Sequence, residues 1–460
     1  MKQQVAPTIL FSTVTLLLLS FLSCSGGSSQ SPPQASYSLG GIVTGLSGTG
    51  LVLQNNGGNN LAVSNNGPFM FPTRIGGGGT YNITILTQPS NPAQICRVTN
   101  GSGTVHSDIA GVGVNCIDNP SAGLYLFQGN SVYSLNLSTI DASTGALSPP
   151  VQVGTAGNTD FNNPGIAVAP STQFLYAVFA SFTNIAGYRV YGPGFHMGNA
   201  PFGSFSSGLQ GTLHSLVLHP SGKFLYTTNS SSVGRVERYS VNTDTGDLTF
   251  VAAVSDGALG TPVIDPAGKY LFVTGGGQIF AYQINQSNGS LSAVIGSPFT
   301  ISLTDHAISL VIDGKGKFLY APLSMGGIAA LVIDNSTGEL SNVPGSPFSF
   351  PTGNALLAIA ADPVSNFIYV GDLNGSIVGF EIDPQSGVLT QVPGSPSSTA
   401  LFPASIAVDP TGTFAYVASN HDSKTYGFRI DPSSGSLSTL SGSPFVSVDR
   451  PTYLFSFRIQ

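Results

Sequence analysis

The sequence predicts an all-β protein, a seven-bladed β-propeller preceded by a small β-sandwich. Three observations carry this expectation. From Gly123 onward one unit recurs about every 48 residues, and four strands per unit of that length, repeated radially, make a propeller. The 460 residues include 58 Gly and 31 Pro, which cost about 1 and 3 kcal/mol in helix interiors and favour turns. The periodic region opens with a unit that lacks an inner strand and ends, in "RPTYLFSFRIQ" from Arg450, with an isolated one. Joined, the two make a seventh blade and close the ring, which removes two exposed sheet edges.

The N-terminus reads as an export signal. Lys2 precedes the apolar run "ILFSTVTLLLLSFL", Ile9 to Leu22, too short to span a bilayer comfortably and laid out like a secretory leader. Residues 1–23 are expected to be the signal and residues 24–36, rich in Ser, Gly and Pro, a tether. Cys24, after a small residue and before that tether, resembles the lipidated cysteine of bacterial lipoproteins. The resemblance implies a diacylated Cys24 and a membrane partner reached through the lipid. It also implies an exported protein at the outer membrane or cell surface. Phe21 stands where Leu is usual, and an ordinary cleaved signal is the alternative.

Residues 37–118 lack the later repeat. Short runs such as "GLVLQNN", "NLAVSNN" and "TYNITILTQP" alternate at period two between Gly/Asn turns, as in a small all-β sandwich, and "NGPFMFP" and "TYNITILTQP" resemble prealbumin-like or immunoglobulin-like modules. The tetraglycine Gly76 to Gly79 has no helix or Lys-Ser/Thr after it, so it reads as a hairpin connection rather than a phosphate cradle. Cys96 and Cys116 lie in strand-like segments that fit side by side. A disulfide there would stabilise by roughly 3 kcal/mol and suits an oxidising compartment. No cysteine then remains for metal or catalysis.

Residues 121–460 are assigned to the propeller. One anchor ends at Tyr176, Tyr226, Phe272, Tyr320, Tyr369 and Tyr416, as in "HPSGKFLY" and "DPTGTFAY", at steps of 50, 46, 48, 49 and 47 residues. A second anchor, Asp/Asn with Gly four and Leu six positions on, starts at Asp141, Asn242, Asn285, Asp334, Asp383 and Asp431. The copy between the first two has decayed into "YGPGFHMGNAPFG" near Tyr191. In both anchors Asp or Asn opens a turn by accepting from the backbone amides that follow, and Gly takes the positive φ of the bend. The recurring "GSPF" is expected to end the outer strand and lead to the next blade, its Phe packing between blades.

The absence of Trp excludes propellers built on Trp-Asp repeats, tryptophan docking motifs or Trp-containing Asp boxes. The segments "HPSGKFLYTTNSSSVGRVERYSVNTDTGDL" (His219 to Leu248) and "DPTGTFAYVASNHDSKTYGFRIDPSSGSL" (Asp409 to Leu437) resemble the seven-bladed lactonase propellers, the 6-phosphogluconolactonase-like family, and YVTN-type surface repeats. The resemblance covers nearly all of residues 123–460. It implies that fold, and a site on the central face where family members with lactonase activity open a cyclic ester. Such chemistry needs a base for water and a donor for the oxyanion. Residues entering inner strands, or lying between second and third strands, are placed to supply them. The candidates are His214, Asp305, His306 and Arg235, with Asp372, His421, Asp422 and Lys424 beside them. His219 reads as a turn residue on the opposite face, and "NTDTGDL" as the repeated turn rather than a calcium loop. No metal or cofactor is expected.

A formal charge of −7, with 8% charged residues, gives no basic footprint for nucleic acid. Few ionisable groups cluster, so the first expectation is a lipid-anchored propeller binding an unknown small molecule or protein on its central face. The alternative is a lactone hydrolase acting outside the cytoplasm. A phosphorylated sugar lactone fits poorly with export and with so few cations near the axis.

Overall fold

The computed structural model describes residues 35–89, 94–118, 123–130, 134–155, 165–169, 174–178, 183–191, 196–197, 202–230, 234–258, 260–399 and 402–458. Cys24, the leader 1–23 and nearly all of the tether 24–36 lie outside them. Every regular element among the described residues is a strand, and no helix there is long and apolar enough to cross a membrane.

Residues 36–118 form two principal four-stranded sheets. One runs in the order Gly67–Met70, Leu39–Thr44, Ile109–Asp118, Gln94–Thr99, and the other Asn59–Val63, Leu51–Asn55, Thr80–Thr87, Ser102–Thr104. Alternate residues, Leu39, Val43, Leu51, Leu53, Val112 and Val114, are buried, as period-two patterning requires. Cys96 and Cys116 are joined in a disulfide.

The remaining strands form seven antiparallel blades. Blade 1 pairs Pro451–Arg458 with Leu124–Asn130, followed outward by Ser134–Ile140 and Val151–Thr155. Its closing register runs from Leu124 opposite Arg458 to Asn130 opposite Pro451. Blades 2 to 7 begin with the inner strands Gly165–Ala169, Leu213–Leu218, Pro262–Ile264, Val311–Ile312, Leu356–Ala361 and Pro403–Val408. Residues from all seven inner strands surround an axial channel of about 370 Å³. The seven-bladed all-β fold expected from the repeat is the fold observed.

The two sequence anchors are two halves of one contact between neighbouring blades. Tyr176, Tyr226, Tyr320, Tyr369 and Tyr416 are fully buried. Each hydroxyl donates to the carbonyl of the turn glycine in the next blade: Gly246 (2.7 Å), Gly289 (2.7 Å), Gly387 (2.9 Å), Gly435 (2.9 Å) and Gly145 (2.7 Å). The aromatic residue two positions earlier lies flush on the same glycine. A Cβ on Gly387, whose φ is +77°, would meet Phe318 at 2.5 Å, and one on Gly145 would meet Phe414 at 2.5 Å. Cations complete several junctions by donating to other carbonyls of these turns. Lys317 reaches Pro384 and Gln385, Arg429 reaches Ser143, Arg189 reaches Thr245 and Arg238 reaches Asn288.

The turn itself is held from within: Asp334 Oδ1 accepts from the Ser336 and Thr337 amides and the Ser336 hydroxyl. The Asp-Pro-x-Gly turn is likewise closed by a buried carboxylate, Asp409 accepting from the Thr411, Thr413 and Phe414 amides. His219 takes that role in blade 3, and its Nε2 lies 2.8 Å from the Gly268 carbonyl of blade 4.

"GSPF" has a different place from the one expected. It interrupts the outer strand rather than ending it. In blade 4, Leu291–Ala293 and Phe299–Thr300 both pair with Gln278–Ile284, on either side of the cis Ser297-Pro298 bond. Proline has no N–H for a ladder. Across the gap the serine hydroxyl substitutes for a backbone acceptor, taking the amide of Ala281 (2.9 Å), and Ser346, Ser395 and Ser443 do the same for Ala330, Gly379 and Gly427. The Phe that follows packs against a buried cluster spanning two blades, as Phe299 does.

Replacing Gly387 by Ala forces a left-handed backbone on a Cβ that has no room against Phe318. Urea unfolding of Gly387→Ala is expected to show a loss of about 2–4 kcal/mol, against less than about 0.5 kcal/mol for Gln385→Ala in a neighbouring exposed position.

Candidate active site

Above the channel, at the ends where inner strands begin, lies an open cavity of about 830 Å³. That is within the ~300–1,000 Å³ range of small-molecule sites. Its lining includes His214, Thr261, His306, Leu357, Phe402, Ala404, Asn420 and Thr452. Four of these are placed by one device. In blade 3, Leu213 pairs with Asn229 and Ser215 with Thr228, so His214 is an extra residue in the inner strand. Leu357, Ala404 and Thr452 are the extra residues of blades 6, 7 and 1 in the same way. A bulge breaks the alternation of side chains and re-aims one of them. Here it points one residue per blade at the cavity.

His214 is half-buried, and burial lowers its imidazole below the ordinary 6.5, since desolvation disfavours the charged ring. Such a histidine is neutral at pH 7 and has a lone pair to offer a proton. His306, from blade 5, is exposed, with Nδ1 3.4 Å from the Ser324 hydroxyl. The structure thus brings His214 and His306 to one cavity.

It places the other candidates elsewhere. Asp305 does not line the cavity; its carboxylate accepts from Ser324 Oγ (2.5 Å), the His306 amide (2.7 Å) and the Met325 amide (2.9 Å). Burial alone would raise its pKa, but these bonds hold it below the usual carboxylate range. Asp305 therefore fixes the loop that carries His306. Asp372 is similarly occupied, by Thr352, Asn354 and the amides of Asn374 and Ser376. Arg235 begins the third strand of blade 3, paired with Asn229 and Ser255, and does not reach the lining. Asp422 accepts from the Tyr426 hydroxyl, and Lys424 begins a strand beside it.

The sequence reading missed Phe402 and Asn420. Phe402 has a φ of +60°, an outlier for an aromatic residue. Two backbone bonds hold it, its amide to the Leu373 carbonyl and the Asn420 amide to its own carbonyl. Its ring is 44% exposed and stacks on His421 at 6.5 Å and 13°. Strain of this kind gathers at ligand sites, yet nothing in "ALFPAS" announces it. The lining also includes Thr261, Thr274 and Ser215. Among the described residues, no carboxylate, lysine or arginine lines the cavity, and no three His, Cys, Asp or Glu come together as metal ligands would.

The class defined by these features is a closed seven-bladed β-propeller with a ligand-sized cavity over its axis. Within that class, residues 263–455, less than half of the chain, match the family model of the lactonase 7-bladed beta-propeller. No curated protein sequence matches the chain. Solved structures resemble it closely in fold. The periplasmic gluconolactonase of Pseudomonas aeruginosa superposes with a TM-score of 0.60 at 21% identity, covering 73% of this chain and all (100%) of the other. A Bacteroides uniformis protein provisionally called a 6-phosphogluconolactonase gives 0.62 at 16%, with 73% and 100% covered. A Lactobacillus plantarum protein gives 0.58 at 20%, with 73% and 99% covered. At these identities the likeness is one of fold.

If burial governs His214, NMR titration of the intact protein will show its ring protonating at a pH clearly below that of an exposed histidine, about 6.5. A midpoint at or above that value contradicts the account of the site.

Proposed function

We propose that the protein is an exported, membrane-tethered lactone hydrolase that takes a small uncharged lactone into the central cavity. The observation that carries this reading is the convergence of His214 and His306 on a cavity whose described lining is otherwise uncharged. Neutral His214 takes a proton from water as the oxygen attacks the ester carbonyl, and the nearby donors of His306, Asn420 and Thr452 are available to the oxyanion. Collapse breaks the acyl–oxygen bond. The proton passes to the leaving alkoxide, giving a hydroxy acid. A phosphorylated substrate would find no cation among the described lining residues.

Export is supported by the leader-like residues 1–23, by Cys24 with its tether, and by the Cys96–Cys116 disulfide, which suits an oxidising compartment. The gluconolactonase of Pseudomonas aeruginosa with a similar fold is itself periplasmic. A second reading, ligand binding without turnover, is favoured by the absence of a carboxylate in the described lining to orient either histidine.

The test is hydrolysis of unphosphorylated aldonolactones and simple γ- and δ-lactones, followed in a pH-stat with wild type, His214→Ala and His306→Ala. The hydrolase reading expects turnover above background, a fall of at least about 100-fold in kcat/KM for His214→Ala, and an acid limb of the pH profile displaced below that of an ordinary histidine because burial lowers the base. Equal background rates in all three, with lactone binding intact by calorimetry, would establish the binding reading instead.

A further inference from the structure

The lining of the central cavity is divided by blade. Blades 1, 3 and 4 contribute Thr452, His214, Ser215 and Thr261, whereas blades 5, 6 and 7 contribute Ile308, Leu357, Ala404 and Phe402. His306 stands on blade 5, where the two arcs meet, and Asn420 is the polar residue of the second arc. Leu357 and Ala404 are the bulge positions of blades 6 and 7, as His214 is of blade 3. The device that presents a base on one side presents hydrocarbon on the other.

Phe402 is the largest group of the apolar arc. Its backbone, at a φ of +60°, is fixed by the bonds to Leu373 and Asn420. His421, which does not line the cavity, lies against its ring at 6.5 Å and 13°. The ring is still 44% exposed, so it is apolar surface left in contact with water. Covering such surface is favourable in proportion to the area removed from water.

A lone lactone ring fills only a small part of a cavity of about 830 Å³, and whatever the ring carries must lie along the remaining wall. A hydroxyl laid against Leu357, Ala404 and Phe402 loses its bonds to water without replacement, which is costly. A methylene in the same place gains by leaving water. Resting on the hydrolase reading, we propose that the substrate is a lactone carrying an aliphatic chain. Its ester carbonyl faces His214 and its chain lies against Phe402, which makes Phe402 a specificity-determining residue. A polyhydroxylated lactone with the same ring is then a poor substrate.

The experiment compares γ-butyrolactone, γ-hexanolactone, γ-octalactone and galactono-γ-lactone on the full chain, wild type, Phe402→Ala and Phe402→Asn. A pH-stat gives kcat and KM, and calorimetry gives Kd. Asparagine tolerates positive φ, so Phe402→Asn removes the ring and keeps the backbone should Phe402→Ala fail to fold. Wild type is expected to gain about twofold or more in kcat/KM per added methylene, mainly through KM, with galactono-γ-lactone the weakest substrate. Both variants lose most of that gain. Rates and affinities independent of chain length, a preference for galactono-γ-lactone, or a chain preference unchanged in the variants would overturn the proposal and leave the hydrolase reading standing. No turnover of any lactone would defeat the hydrolase reading instead, and the order of the Kd values would still decide whether the cavity selects an aliphatic chain.

Discussion

The structure depends on a hydrogen bond and a ring contact repeated from blade to blade. A tyrosine in the second strand of one blade donates to the carbonyl of a turn glycine in the next, and an aromatic ring two residues earlier lies on that glycine. Burying a four-stranded sheet requires covering both faces, and no blade can do this alone. The latch fixes the distance and angle at which each neighbour does it. Its last member, Tyr416 on Gly145, is also where the ring returns to its start. At the next junction the pattern changes. Phe127 stands where a latch tyrosine would, stacking on Phe457 at 4.9 Å, and blade 2 has no Asp-x-x-x-Gly turn to receive a hydroxyl. Between blades 4 and 5 the ring contact stands alone: Phe272 has no hydroxyl to donate, while Tyr270 still lies on Gly338.

How much of this the sequence reveals depends on whether a residue acts locally. The turns were legible because Asp, Pro and Gly do their work within five residues, and the fold follows from their spacing. The relation between the two anchors was not, because the tyrosine and its glycine are 63 or more residues apart, as for Tyr226 and Gly289. "GSPF" was placed at the wrong point of the blade because its serine acts across the sheet, on an amide 16 residues earlier. The site was half legible. His214 and His306 stood out as ionisable groups at strand starts, but the bulge that aims His214 is a matter of pairing register, which no single strand encodes. Asp305 looked like a partner for catalysis by type alone; its three bonds to its own loop and to Ser324 and Met325 assign it to support. Phe402 carried no signal, since positive φ in a non-glycine residue is imposed from outside.

The scarcity of charge has a structural reading as well. Lys317, Arg189, Arg238 and Arg429 are committed to turn carbonyls of neighbouring blades, and Asp265, Asp313, Asp362 and Asp409 are buried in turns. With 14 Lys and Arg in all, few basic groups remain for the central face. A rigid ring made by such commitments leaves ligand recognition to bulged residues and loop tips, where a substitution changes the lining without loosening a junction.

Native-state amide hydrogen exchange on wild type and Tyr416→Phe tests the latch most directly. Removing that hydroxyl leaves the buried Gly145 carbonyl unpaired at the junction where the ring closes. The account predicts faster exchange confined to blades 7 and 1, above all in Pro451–Arg458 and Leu124–Asn130. Exchange unchanged in those strands, or accelerated evenly through all seven blades, would contradict it.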